Sequence, residues 1–95
     1  MRFIFGNDTF IPVNNILQID CSNDAEVHIR VVNPNTESGA TDVVNSEYVI
    51  GTSSGKEVTL GKRLVEEINF GKLDTIDLIL FNDFSQSVTF TETPT

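Results

Sequence analysis

The amino-acid sequence predicts an α+β fold: a curled antiparallel sheet or a partly open small barrel of five to seven short strands, with one helix at about residues 55–70. Short runs of alternating apolar and polar residues recur along the chain, separated by turn-forming residues, which is typical of half-buried strands. One stretch instead has apolar residues at intervals of four, Leu60, Leu64 and Ile68, which indicates a helix. The 95 residues are predicted to form a single domain, residues 1–95, around one core.

The first two predicted strands, residues 2–5 and 9–13, should form a hairpin, because Gly6, Asn7 and Asp8 between them favour a turn. Pro12 cannot donate a backbone hydrogen bond to a neighbouring strand. It therefore marks an edge strand or the end of a strand.

Residues 15–21 and 26–32 are the antiparallel pair that the pattern predicts most clearly, with the turn residues 22–24 between them. The period of two places three side chains of each strand in the core: Leu17, Ile19 and Cys21 on the first, and Val27, Ile29 and Val31 on the second. Residues 33–42 read as an exposed loop, and residues 43–50 as a further strand with two mixed faces.

The predicted helix has signals at both ends. Ser54 and Glu57 match a capping box, in which a hydroxyl accepts from a backbone N–H and the glutamate reaches back. Gly71 stands where a left-handed cap would end the helix. Gly61 lies on the apolar side, where the absence of a side chain would let the helix approach the sheet closely.

Two strands are predicted after the helix. Residues 75–81 are apolar on both faces apart from Asp77, which suggests a central strand in which that carboxylate pairs with Lys, Arg or water. Residues 87–91 should direct Val88 and Phe90 inward, and residues 92–95 should form a frayed tail.

The net charge, the single cysteine and the N-terminal residues indicate which kinds of partner and which cellular compartment to expect. The formal net charge of −8 argues against binding to nucleic acid or to an anionic membrane, because both need clustered basic residues. Cys21 is the sole cysteine, so no intramolecular disulfide can form, which favours an intracellular protein. The N-terminal apolar patch is too short for a signal peptide or a membrane span.

Residues 51–59, GTSSGKEVT, resemble a phosphate-binding loop at first sight. That loop needs four residues between its glycines and a hydroxyl after the lysine, whereas Gly51 and Gly55 enclose three residues and Glu57 follows Lys56. A carboxylate at that position would repel phosphate. We therefore predict that this segment starts the helix and binds no nucleotide.

The other candidate residues also favour structural roles, so we predict no catalytic, cofactor-binding or metal-binding residue and no enzymatic activity. His28 is predicted on an outer, solvated strand face, and it could act as a base only if the fold brought it within hydrogen-bond reach of a carboxylate in a pocket. Cys21 should behave as a small hydrophobe. Asp20, Asp24 and Glu26 flank the hairpin turn and could hold Ca²⁺, but exposed turn-forming residues explain them better. Asp74, Asp77 and Asp83 surround the last long strand, where Asp77 is the one that needs a partner.

Three stretches resemble a group of small proteins encoded by tailed bacteriophages, especially marine ones. They are a short aromatic N-terminal strand followed by FIPVNNILQI at residues 10–19, then SSGKEV at residues 53–58, and LVEEIN at residues 64–69. The resemblance covers about half of the chain. It implies a role in the virion or its assembly, among other virion proteins or in the host cytoplasm, without catalysis or cofactor.

From these observations we predict a non-enzymatic structural or assembly protein that acts as a homo-oligomer through strand edges and Phe-bearing surfaces. The alternative is a small acidic binding module for a divalent cation or a basic protein partner.

Overall fold

The computed structural model describes residues 2–32 and 43–94, which form seven strands in two sheets, one α-helix and two short 3-10 turns. The strands are β1 (Phe3–Gly6), β2 (Thr9–Pro12), β3 (Ile16–Asp20), β4 (Glu26–Val31), β5 (Val43–Thr52), β6 (Thr75–Asp77) and β7 (Phe84–Pro94), and the helix is α1 (Glu57–Phe70). The predicted α+β class is confirmed, and within the described residues neither sheet closes into a barrel.

The smaller sheet has the strand order β2-β1-β6. β1 and β2 form the predicted hairpin, and Asn7 and Asp8 both have positive φ, 48° and 61°, as the two central residues of a type I′ turn require. Pro12 ends β2, as predicted, on the edge of the sheet. β6 runs parallel to β1, so the fold includes one parallel pair that the hairpin pattern did not indicate.

The larger sheet has the order β3-β4-β5-β7, and all its pairs are antiparallel. β4 directs Val27, Ile29 and Val31 into the core as predicted. The prediction for Leu17 is wrong, because the pairing of β3 with β4 shifts between Ile16 and Gln18 and leaves Leu17 64% exposed. Beyond such an irregularity, the side chains of the strand point to the opposite face from the one that strict alternation predicts.

The core lies between the two sheets and the helix. Its buried apolar side chains are Ile4, Ile11 and Ile76 from the smaller sheet, Val27, Ile29, Val31 and Ile50 from the larger one, Leu60 and Leu64 from α1, and Leu78 and Phe81. Gly61 of α1 is also buried, and a Cβ at this position would collide with Sγ of Cys21. The predicted close approach of the helix to the sheet at Gly61 is therefore confirmed.

The prediction of a central strand at residues 75–81 is wrong. β6 ends at Asp77 on the edge of the smaller sheet, and a 3-10 turn, Leu78–Leu80, follows. Asp77 pairs with neither Lys nor Arg among the described residues; its Oδ1 accepts a hydrogen bond from the backbone N–H of Ile79 at 3.1 Å. The run contains enough apolar residues for a central strand, but the turn sends Ile79 and Leu80 outward, 63% and 64% exposed.

β7 is longer than predicted. It spans Phe84–Pro94 and pairs with β5 along its length, so residues 92–94 belong to the strand and are no frayed tail, whereas Thr95 lies outside the described residues. Val88 packs on the core as predicted. Phe90 is 41% exposed and contacts the ring of Tyr48 at 4.8 Å between centroids, so its predicted inward position is wrong. The loop predicted at residues 33–42 also lies outside the described residues.

Neither predicted helix cap forms. Lys56 is the residue before the helix, and no side chain caps it. Gly71 has φ −71° and ψ 159°, an extended conformation in place of the left-handed one, and its N–H donates to the carbonyl of Glu67 at 3.0 Å. The last carbonyls of α1 instead accept hydrogen bonds from Arg2, which comes from the opposite end of the chain.

Candidate functional site

The outer side of the smaller sheet carries three aromatic rings, which we call the aromatic face: Phe3, Phe5 and Phe10. The pleat of β1 and β2 turns Ile4 and Ile11 into the core and these rings the other way. The Phe10 ring lies 4.5 Å from that of Phe5 and 5.8 Å from that of Phe3, measured between centroids. Sheets that face water on one side normally carry polar residues there, so this face has an unusual composition.

The aromatic face is accessible to solvent. Phe10 is 56% exposed, and Phe3 and Phe5 are half-buried. A shallow depression of about 310 Å³ adjoins it, with Phe5, Asp77 and the exposed Ile79 in its lining. The apolar surface thus continues from the rings onto the 3-10 turn after β6.

A second apolar surface lies between β3 and the helix, and we call it the β3–α1 groove. It consists of two adjoining cavities of about 350 and 400 Å³, which share Ile19 and Val65 in their linings. Leu17, Val58 and Val65 reach solvent beside it, with 64%, 45% and 41% of their surfaces exposed. β3 is the terminal strand of the larger sheet, so the described chain places no strand along its other side.

The residues of the supposed capping box bind the β3–β4 turn. Asp24 accepts from the hydroxyl of Ser54 at 3.0 Å and from the backbone N–H of Gly55 at 2.9 Å, and Glu57 accepts from the backbone N–H of Ala25 at 3.1 Å. Gly55 has φ 78°, which a glycine adopts without strain. In a phosphate loop, backbone N–H groups such as that of Gly55 donate to the phosphate. Here the Gly55 N–H donates to the carboxylate of Asp24 instead.

His28 differs from its prediction as a lone solvated residue. Its side chain is 18% exposed, and its Nε2 and Nδ1 lie 3.0 Å from Glu26 Oε1 and 3.1 Å from Glu47 Oε1. Burial lowers the pKa of His28, but the hydrogen bonds to the two glutamates outweigh it and raise the pKa above its ordinary value. A catalytic base would need both a carboxylate within hydrogen-bond reach and a position in a pocket. His28 has two such carboxylates, but it lines none of the three cavities described above.

The acidic residues near the β3–β4 turn each form hydrogen bonds with a different partner. Asp20 accepts from the N–H of Ser22 at 2.9 Å, and hydrogen bonds from the side chain and backbone of Ser22 lower the pKa of Asp20. Asp24 binds the turn before α1, and Glu26 binds His28. Across residues 2–32 and 43–94, no group of three or more His, Cys, Asp or Glu side chains is arranged to hold a metal ion.

Cys21 is half-buried against Gly61 and lines the β3–α1 groove. Burial raises the pKa of its thiol, and the nearby carboxylates of Asp20 and Glu57 raise it further. Both effects disfavour the thiolate, which is the nucleophilic form of the side chain.

The described residues define a small α+β fold with two open sheets, on which the aromatic face and the β3–α1 groove are exposed apolar surfaces. Comparison of the chain with protein-family models, with characterised proteins and with solved structures found no match. None of the described helices is long and apolar enough to span a membrane.

Proposed function

We propose that this chain is a non-enzymatic structural or assembly protein that acts by self-association, with the aromatic face as the contact between copies. The observation that carries the proposal is the cluster of Phe3, Phe5 and Phe10 on the uncovered side of a three-stranded sheet, with Phe10 56% exposed.

Burial of these rings would supply the driving force. Full burial of a phenylalanine removes about 150–250 Å² from water, at about 25 cal/mol per Å² of apolar surface. Phe10 still exposes 56% of its surface to such a contact, and Phe3 and Phe5 expose less. Two aromatic faces packed across a twofold axis would bury six rings between them. The gain would have to exceed the cost of association, which is itself several kcal/mol.

Charge favours this face for contact between identical copies. Each copy carries a net charge of −8, so a homotypic interface must avoid acidic surface. The outward positions of β1, β2 and β6 include one carboxylate, Asp77, which already accepts a hydrogen bond from Ile79. The remaining outward positions of these strands are neutral, and Asp8 of the β1–β2 turn is the other carboxylate in the lining of the adjoining depression.

Sedimentation velocity over a wide range of protein concentrations tests the proposal. We expect the unmodified chain to form a dimer or a larger oligomer, and Phe10→Ser to remain a monomer at the same concentrations. Val65→Ser, which replaces an exposed valine in the β3–α1 groove, is the matched control and should self-associate like the unmodified chain. An unmodified chain that stays monomeric at the highest concentration reached contradicts the proposal.

The resemblance to tailed-phage proteins extends the proposal to the particle in which such an oligomer would work. The oligomer would then be part of a virion or of its assembly in the host cytoplasm, with other virion proteins as partners. The identity of the neighbouring genes tests this extension. Genes for head, tail or packaging proteins on either side would support it, and an unrelated metabolic neighbourhood would count against it.

A small acidic binding module is the second candidate, in the form that takes a basic protein partner. The β3–α1 groove favours it, because this surface combines apolar side chains with nearby carboxylates. The form that takes a divalent cation has less support, since the described carboxylates engage separate partners. Titration calorimetry with Ca²⁺ and Mg²⁺ tests that form, and absence of heat would remove it.

A further inference from the structure

We propose that the β3–α1 groove binds an extended, basic segment of another protein, which aligns along β3 and inserts alternate apolar side chains between β3 and α1. The inference rests on the binding-module candidate above and gives it a ligand. This site lies apart from the aromatic face, so the inference stands whether or not the chain self-associates. It rests on three features, namely a strand edge with which no other described strand pairs, an apolar lining, and nearby carboxylates on a chain of net charge −8.

The free edge provides main-chain hydrogen bonds. β3 is terminal in its sheet, and an exposed strand edge is a template for a further strand. The pairing of β3 with β4 is regular from Gln18 to Asp20 and irregular before it. The regular stretch is short, and each hydrogen bond makes only a modest net contribution because it replaces one to water. Side-chain contacts in the groove must therefore supply much of the affinity.

The lining of the groove suits alternate side chains of an extended segment. On the helix, Val58, Gly61 and Val65 are spaced by three and four residues and so share one face. Ile19 and Cys21 line the groove from the side of the sheet. Every second side chain of a strand points the same way, about 7 Å apart. The two adjoining cavities could each receive one such apolar side chain.

Gly61 lies between the two valines on the helix side of the groove. Cys21 Sγ fills the space that a side chain at this position would need, so the helix lies close to β3 there.

The charges around the groove argue for a basic occupant. Glu66 lines one cavity beside Lys62, and Asp20 and Glu57 lie close enough to the Cys21 thiol to act on it electrostatically. Three carboxylates thus lie at this end of the groove, and the basic side chains near them are Lys62 beside Glu66, and His28 and Arg30 near Asp20. A second copy, with its net charge of −8, would be repelled here, whereas Lys or Arg residues flanking an apolar segment would be attracted.

A designed peptide of sequence KKVTVTVKK, labelled with a fluorophore, is the probe. We expect saturable binding to the full chain by fluorescence anisotropy, and amide chemical-shift changes concentrated on β3 and on the α1 residues that line the groove. Val65→Ser should weaken the affinity about tenfold, which corresponds to about 1.4 kcal/mol of lost apolar contact. Phe10→Ser is the matched control on the aromatic face and should bind the peptide as the unmodified chain does.

Three altered peptides separate the features. A peptide EEVTVTVEE tests charge, KKVVVTTKK tests alternation of the apolar side chains, and a backbone N-methylated KKVTVTVKK tests the main-chain hydrogen bonds. Each should bind more weakly than KKVTVTVKK. Equal binding of the acidic peptide, no binding of KKVTVTVKK, or shift changes confined to the aromatic face would each overturn the proposal.

A second copy as the occupant is also distinguishable. If Val65→Ser abolishes self-association while Phe10→Ser does not, the groove is a contact between copies and this proposal is wrong. If Phe10→Ser has no effect on self-association but the peptide still binds the groove, only the proposal for the aromatic face is lost.

Discussion

The carboxylate of Asp24 accepts a hydrogen bond from the backbone N–H of Gly55, with 2.9 Å between Oδ1 and N. This contact, with the one from Ser54 Oγ, joins the β3–β4 turn to the segment that leads into α1. Residues 30 positions apart are thereby held together at the start of the only α-helix in the described chain.

Removal of this carboxylate should loosen the entry to the helix. We expect Asp24→Ala to lower the free energy of unfolding by about 1–2 kcal/mol, because two donors lose their acceptor at an exposed site. Urea denaturation measures the change. Asp24→Asn keeps one acceptor oxygen and should lose less, so equal losses in the two variants would contradict this role.

Arg2 supplies the cap that the sequence pattern assigned to Gly71. Its guanidinium donates to the carbonyls of Glu67, at 2.7 Å, and of Ile68, and its Nε donates to the carbonyl of Leu73 at 2.9 Å. A positive charge at the C-terminus of a helix also interacts favourably with the helix dipole.

We expect Arg2→Met to lower the free energy of unfolding by about 1–3 kcal/mol, since hydrogen bonds from a charged donor are stronger than neutral ones. Arg2→Lys keeps the charge but loses the planar array of donors. Its free energy of unfolding should lie between those of the unmodified chain and Arg2→Met. Thermal and urea unfolding followed by circular dichroism would measure both. If Arg2→Lys is destabilised as much as Arg2→Met, the positive charge contributes nothing to stability here.

Gly61 and Cys21 form a pair whose substitutions should not be additive. Alanine normally favours a helix over glycine by about 1 kcal/mol, but the added Cβ would collide with Sγ of Cys21. We expect Gly61→Ala to destabilise the protein by about 1–3 kcal/mol, the usual cost of overpacking.

The Cys21→Ala variant removes the colliding sulfur, and the Cβ atoms of residues 21 and 61 would then lie about 4.0 Å apart, an ordinary contact. The double variant should therefore be at least as stable as Cys21→Ala alone. A double-mutant cycle of urea unfolding measures the coupling, and additive effects would mean that the helix moves away from β3 instead.

Stability should depend on pH through His28. Its folded-state pKa is raised above the ordinary value of 6.5, because its hydrogen bonds to Glu26 and Glu47 outweigh the effect of burial. Protonation therefore stabilises the fold. This contribution is fully present below about pH 6.5 and is lost as the pH rises through the folded-state pKa.

The charged groups that face His28 across the neighbouring strands are Asp20, opposite it on β3, and Glu47 on β5, with Glu26 and Arg30 on its own strand. We expect the unfolding free energy to fall as the pH rises above about 6.5, the fall to be absent in His28→Gln, and the fall to be smaller in Glu47→Gln. Urea denaturation at several pH values measures the slope. A slope unchanged in His28→Gln would assign the pH dependence to other groups.

The pattern of the sequence predicted the parts of the fold that local physics decides. Alternation of Val27, Ile29 and Val31 predicted a strand with one buried face, and turn chemistry at Asn7 and Asp8 predicted the first hairpin. The spacing of Leu60 and Leu64 predicted the buried side of α1. Each of these signals acts between residues a few positions apart.

The errors arose where distant residues compete with a local signal. Ser54 and Glu57 have the right spacing for a capping box, but Asp24 and Ala25 offer them better partners across the fold. The apolar run at residues 75–81 has the composition of a central strand, yet Asp77 turns the chain and β6 lies at an edge. His28 looked solitary because Glu47 reaches it only through the pairing of β4 with β5.

For the aromatic face and the β3–α1 groove, too, the sequence pattern indicates one part and the tertiary structure decides the other. The spacing of Phe3 and Phe5 with Ile4 between them was readable as a strand with an aromatic side, since neighbouring side chains of a strand always point to opposite faces. Only the tertiary structure decided that no described element covers this side and that β3 ends its sheet beside Val58 and Val65. Periodicity specifies which residues share a face, whereas the packing of elements distant in sequence decides which faces and edges remain open.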